Sequence, residues 1–192
     1  MQDFWLYFTL GREHIADLSG YDHILFVAAL CLGYLPKDWK KILVLVTAFT
    51  VGHSITLALS VLNVIEVSSK WIEFLIPVTI VVTAIVSTTR KPGNAGRMSP
   101  LYVLAMFFGL IHGLGFSNYL KSLLGKNDSI VSELLAFNIG LEIGQLIIVA
   151  AILLLSYLCL ALLKINEKVF MLFAAGAIFG VAFLMALQRF PL

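Results

Sequence analysis

The chain holds four histidines, His14, His23, His53 and His112, and each lies in or just before a long apolar run. None sits in a basic loop or a tail. Asp, Lys or Arg at mid-bilayer costs roughly 2.5 to 3.5 kcal/mol on insertion scales, so ionisable groups embedded in such runs call for a compensating role. The first cluster is Gly20-Tyr21-Asp22-His23, the second Gly52-His53-Ser54-Ile55-Thr56, and the third Ile111-His112-Gly113-Leu114-Gly115-Phe116. His53 follows Ile42, and His112 follows Leu101, by the same eleven residues. Both therefore lie roughly 16 Å along their helices at 1.5 Å per residue. A fourth run, Phe137-Asn138-Ile139-Gly140-Leu141-Glu142-Ile143-Gly144-Gln145, places Asn138, Glu142 and Gln145 on one stripe through their i, i+4, i+7 spacing. Glu73 forms an outer rim.

The chemistry these types support is metal coordination. A lone membrane histidine is usually an interhelical hydrogen-bonder, so the metal reading rests on joint placement. Imidazoles from His23, His53 and His112, with carboxylates from Asp22 and Glu142, make a nitrogen and oxygen donor set suited to nickel, cobalt or zinc. His14, ahead of the first expected span, reads as an interfacial histidine at the edge of that site. Ser54, Asn138 and Gln145 are candidates for supporting donors or a polar path. Thr47 is expected to bond back to its own helix.

The elements that must position these residues are membrane helices. Of 192 residues, 60% are hydrophobic and 12% charged, with a mean hydropathy of +0.99. Soluble domains run near 45 to 50% and 25%, so a soluble globular protein is excluded. Apolar runs broken by charge and turn residues predict an all-α, polytopic bundle with spans near 17–35, 42–64, 71–88, 101–120, 134–163 and 168–188, in one membrane domain over 1–192. Residues 1–13 read as an interfacial segment. Eight basic residues, Lys37, Lys40, Lys41, Arg90, Lys91, Arg97, Lys164 and Lys168, flank one face, and five, Arg12, Lys70, Lys121, Lys126 and Arg189, flank the other. The positive-inside rule then makes the first face cytoplasmic and puts both termini outside. A formal charge of +2 gives no field for nucleic acid. Cys31 and Cys159 read as packing residues. Gly109/Gly113, Gly140/Gly144 and Gly176/Gly180 form small-xxx-small faces for close helix approach. No internal repeat stands out.

Taken together, Gly20-Tyr21-Asp22-His23-Ile24-Leu25-Phe26, Gly52-His53-Ser54-Ile55-Thr56-Leu57, His112-Gly113-Leu114-Gly115-Phe116 and the run from Phe137 to Gln145 resemble the HupE/UreJ family, in particular its second branch. Four separated motifs in the right order carry the resemblance. It implies a bacterial inner-membrane protein of six or seven helices acting as a nickel or cobalt permease or a metal-handling accessory. The positions it points to are Asp22, His23, His53, Ser54, His112, Asn138, Glu142 and Gln145. Hydrogenase-linked members carry His-Pro shortly before the Gly-x-Asp-His run, whereas here His14 is followed by Ile15. The alternative is an intramembrane zinc-dependent hydrolase, in which Asp22 or Glu142 acts as general base, with Ser54 nearby, on a lipid or acyl substrate.

Overall fold

A computed structural model describes residues 2–32, 34–89, 100–124 and 130–192. Helices account for every regular element among them: α1 (Gln2–Ile15), α2 (Asp22–Cys31), α3 (Trp39–Val61), α4 (Ser69–Thr88), α5 (Pro100–Leu124), α6 (Ile130–Tyr157) and α7 (Glu167–Gln188). A wide π turn at Leu158–Leu162 prolongs α6. Five helices, α3 to α7, are long and apolar enough to cross a bilayer, and they match the last five expected spans. The basic stretch at 90–97 and Lys126 lie outside the described residues.

The expected span 17–35 is corrected by the structure. Helix α1 ends at Ile15, the chain turns over 16–21, and α2 resumes for only ten residues. Ten residues reach about 15 Å, half the hydrocarbon thickness. The break has a local cause: the Ser19 N–H donates to Asp17 Oδ1 at 2.8 Å, an Asx turn that competes with helix, and Gly20 follows it. Residues 2 to 15 are a helix laid along α6. The six-span bundle is therefore five long helices plus a discontinuous sixth, with His14 and His23 on either side of its break.

Two helix pairings dominate the packing, α3 with α5 and α1 with α6. Both are backbone-to-backbone crossings built on glycine. A Cβ on Gly52 would strike the Met106 carbonyl, and one on Gly109 the Phe49 carbonyl; equally, a Cβ on Gly11 would strike the Phe137 carbonyl, and one on Gly140 the Phe8 carbonyl. The sequences correspond too: Phe8-Thr9-Leu10-Gly11 matches Phe49-Thr50-Val51-Gly52, and Gly140-Leu141-x-x-Gly144 matches Gly109-Leu110-x-x-Gly113. This is an internal repeat that the sequence reading passed over. The contact register runs the same way along both partners, so each pair is parallel. Consecutive spans alternate in direction, so the two pairs point opposite ways.

A methyl added at Gly176 or Gly180 would have nothing within 4 Å; the third glycine face packs on none of the described residues. Trp5, Trp39 and Trp71 are all exposed, as interfacial anchors require. Between the pairs lies a core of fully buried Phe26, Phe49, Phe137, Leu45 and Leu57.

Candidate metal centre

The glycine crossings put the imidazoles where the helices approach most closely. His53 follows Gly52 directly, and His112 and His14 each lie three residues beyond a crossing glycine, Gly109 and Gly11. His23 enters from the first turn of α2. The ligand nitrogens of His14, His23 and His53 all lie within 4.8 Å of one another. An ion at the centre of such a triangle stands at most about 2.8 Å from each nitrogen, some 0.7 Å beyond a metal–imidazole bond.

Its nitrogens are also unspent. His14 Nε2, His23 Nε2, both ring nitrogens of His53 and His112 Nδ1 are buried without a hydrogen-bond partner. His53 and His112 are 0% exposed and His23 5%. A buried polar atom left unpaired costs about 1 to 3 kcal/mol, and an ion taking one lone pair from each ring would offset several such costs at once. Around them stands an aromatic wall: Phe116 lies 3.9 Å from the His14 ring, and Phe26, Phe49 and Phe137 pack on the others.

Neighbouring groups engage one ring nitrogen in each of two histidines. His23 Nδ1 lies 3.2 Å from Asp22 Oδ1, whose partner oxygen accepts from Arg189 Nη1 at 3.2 Å. The same carboxylate oxygen accepts from the His23 backbone N–H at 3.0 Å, and Nε2 is the ring nitrogen left without a partner; a carboxylate beside the other nitrogen of a ligating imidazole is the arrangement of metalloprotein sites. On α4, the Thr79 hydroxyl gives its one proton to the Ile76 carbonyl at 2.6 Å. It also pairs with His112 Nε2 at 2.9 Å, so Nδ1 is the His112 ring nitrogen without a partner. The His112 ring centroid lies 5.1 Å from that of His23, beside the three-nitrogen cluster.

A cavity of about 350 Å³ leads to this cluster. Asp17, Asp22, Glu73 and Arg189 line it with His14, His23 and His112. Glu73 belongs to the start of α4 and Arg189 follows the end of α7, so the opening is at the end of the bundle away from Lys37, Lys40, Lys41, Lys164 and Lys168. Its acidic side chains favour cations. Pro77, inside α4, has no N–H to give the Glu73 carbonyl, so the helix loses one backbone bond in the same region.

Other expected members stand elsewhere. Glu142 accepts from the Thr47 hydroxyl at 2.8 Å and lines a second pocket with Ser54 and Asn138. Thr47 does not bond back to its helix as expected. Gln145 accepts from Thr50 at 2.7 Å and is fully buried. The residues of the hydrolase scheme are likewise dispersed: Glu142 and Ser54 share the second pocket, while Asp22 is held by His23 and Arg189. The sequence reading left His14 at the edge and missed Thr79 and Arg189. A usable signal for His14 was the shared Gly-x-x-His spacing of Gly11–His14 and Gly109–His112.

Asp22 is a positioning residue in this geometry. Asp22→Asn should weaken transition-metal binding by about 10- to 100-fold while leaving the stoichiometry unchanged, read by competition with a colorimetric chelator. Wild-type affinity in that variant would show that His23 needs no carboxylate to orient it.

Neither a curated protein nor a solved structure shows significant similarity to the chain. The family model described as HupE / UreJ protein matches residues 1–189, and with nearly its whole length covered the chain belongs to that family.

Proposed function

We propose that this multi-pass membrane protein carries a divalent transition-metal ion, nickel or cobalt, through the centre formed by His14, His23 and His53 with His112 beside it. The observation that supports this most directly is the group of buried, unpaired imidazole nitrogens within 4.8 Å. Nitrogen donors of intermediate softness suit nickel, cobalt and zinc, and family membership favours the first two. The ion is the cargo: it is drawn in past Asp17 and Glu73, exchanges water for imidazole, and leaves when the coordination loosens. A carrier has to release what it binds, and a cluster of three nitrogens fits that demand better than a closed four-ligand structural site does.

The two oppositely directed glycine-locked pairs supply a means of release. His14 belongs to one pair and His53 with His112 to the other, so a shift between the pairs stretches the coordination. Site-bearing repeats of opposite sense are the usual architecture of alternating access. The family points to the bacterial inner membrane, and the basic-residue bias puts both termini outside.

The test is uptake. Full-length protein in liposomes should admit nickel or cobalt ions faster than protein-free liposomes, and His23→Ala should return the rate to that background. Equal rates with and without wild-type protein overturn the carrier reading.

A further inference from the structure

The second pocket, between α3 and α6, is chemically unlike the imidazole centre. Its volume is about 310 Å³, and its polar lining consists of oxygen-bearing side chains: the Glu142 carboxylate, the hydroxyls of Thr47, Thr50 and Ser54, and the Asn138 amide. Asn138 gives its amide N–H to the Leu134 carbonyl at 2.9 Å, while its Oδ1 is buried and unpartnered. Gln145 is fully buried on the same seam, bound to Thr50 through its oxygen, with its Nε2 unpartnered. The rim is formed by exposed Val51, Ile55, Leu135 and Ile139, so the pocket faces the apolar surface of two spanning helices.

A carboxylate there has to be neutralised. Thr47 supplies one hydrogen bond. From α3 the other polar groups facing Glu142 are hydroxyls, and from α6 the amide of Asn138. Among the described residues lining the pocket, none is Lys, Arg or His, and Glu142 is the sole titratable group. The described lining of the pocket thus supplies no compensating charge.

We propose that the Glu142 pocket is a separate site for a small, hard monovalent cation, sodium or a proton, held by Glu142 with the Thr47 and Asn138 oxygens. All-oxygen donors suit such an ion, and they disfavour the softer metals that imidazole selects. Position gives the site a use. Thr47–Glu142 and Thr50–Gln145 bridge α3 of one glycine-locked pair to α6 of the other, and the imidazole centre straddles the same division. Occupancy of either site biases the arrangement that the other sees, which makes this the coupling cation of the carrier. That use rests on the proposed function; the binding itself does not.

The experiment uses the full-length protein in detergent, in sodium chloride or in choline chloride of equal strength. For sodium, a tenfold excess over its dissociation constant should raise the unfolding midpoint by roughly 3 to 6 °C, and Glu142→Gln should remove the rise. For a proton, sodium should do nothing, and the infrared carbonyl band of a protonated carboxylic acid should be present at neutral pH and absent in Glu142→Gln. Thr47→Val, which keeps the carboxylate, should weaken sodium binding or shift that band. Either pattern supports the site. Neither signal, or a signal that survives Glu142→Gln, overturns it; so does dissociation of an oligomer by Glu142→Gln without either signal, since a second copy would then cover the pocket. Nickel binding is measured alongside. A sodium or proton signal without nickel binding refutes the carrier reading and leaves this site standing, whereas nickel binding without the signal does the reverse.

Discussion

Replacing His53 by alanine should strip the protein of bound transition metal. The expected loss is at least 100-fold in affinity, since removing even an outer-shell partner of a ligand costs 10- to 100-fold and His53 is inside the cluster. His53 is fully buried and neither of its ring nitrogens has a partner, so nothing else in the fold depends on its hydrogen bonds. The same fact gives the prediction an unusual second half. Deleting a buried side chain normally destabilises, but this one removes two unsatisfied polar atoms as it opens a void. The two effects oppose each other, at about 1 to 3 kcal/mol per unpaired group against a cavity penalty of similar size. The metal-free variant should therefore unfold within a few degrees of the metal-free wild type, while added nickel stabilises only the wild type. Purified protein analysed for metal content, together with thermal unfolding with and without nickel, reads both halves. Wild-type metal content in His53→Ala would remove the cluster as the binding site.

The helices themselves were largely legible. Spans α3 to α7 stand out because each apolar run ends in residues that stop helices in lipid, such as Pro36-Lys37-Asp38 before α3 and Asn63, which takes a left-handed φ of 57° just past its end. The first span misled because the apolar run that follows His23 was extended back across Asp17-Leu18-Ser19-Gly20, where an Asx turn ends the helix. That error displaced His14. Read as a residue before a helix, it looked interfacial; at the end of α1 it faces His23 across the turn, with ring centroids 4.6 Å apart.

Glu142 shows a different limit. Its spacing from Asn138 and Gln145 correctly groups them near one face of α6, but periodicity states which residues share a face and not which neighbour covers it. Here the covering helix is α3, and Thr47 and Thr50, not the imidazoles, take up the polar groups. Arg189 was unreadable for a related reason: its bond to Asp22 joins residues 167 positions apart, and only the fold returns the end of α7 to the start of α2.

Gly109→Ala should be the most disruptive small substitution outside the imidazoles, because one methyl there meets backbone. The added Cβ would collide with the Phe49 carbonyl and approach the His53 nitrogen to 3.0 Å. Neither atom can swing aside as a side chain would, so α3 and α5 must part by something on the order of 1 Å to restore van der Waals contact. Overpacking of this kind costs about 1 to 3 kcal/mol. Metal coordination tolerates only about ±0.2 Å, and the parting helices carry His53 and His112. Affinity for nickel should thus fall by far more than stability does, a separation that a general loss of folding cannot produce. Gly176→Ala provides the control. Nothing lies within 4 Å of that position, so the same methyl on α7 should leave metal binding unchanged and improve the helix by up to about 1 kcal/mol, the intrinsic preference for alanine over glycine. Equal behaviour of the two alanine variants in nickel titration and thermal unfolding would mean that the glycine crossing does not set the position of the imidazoles.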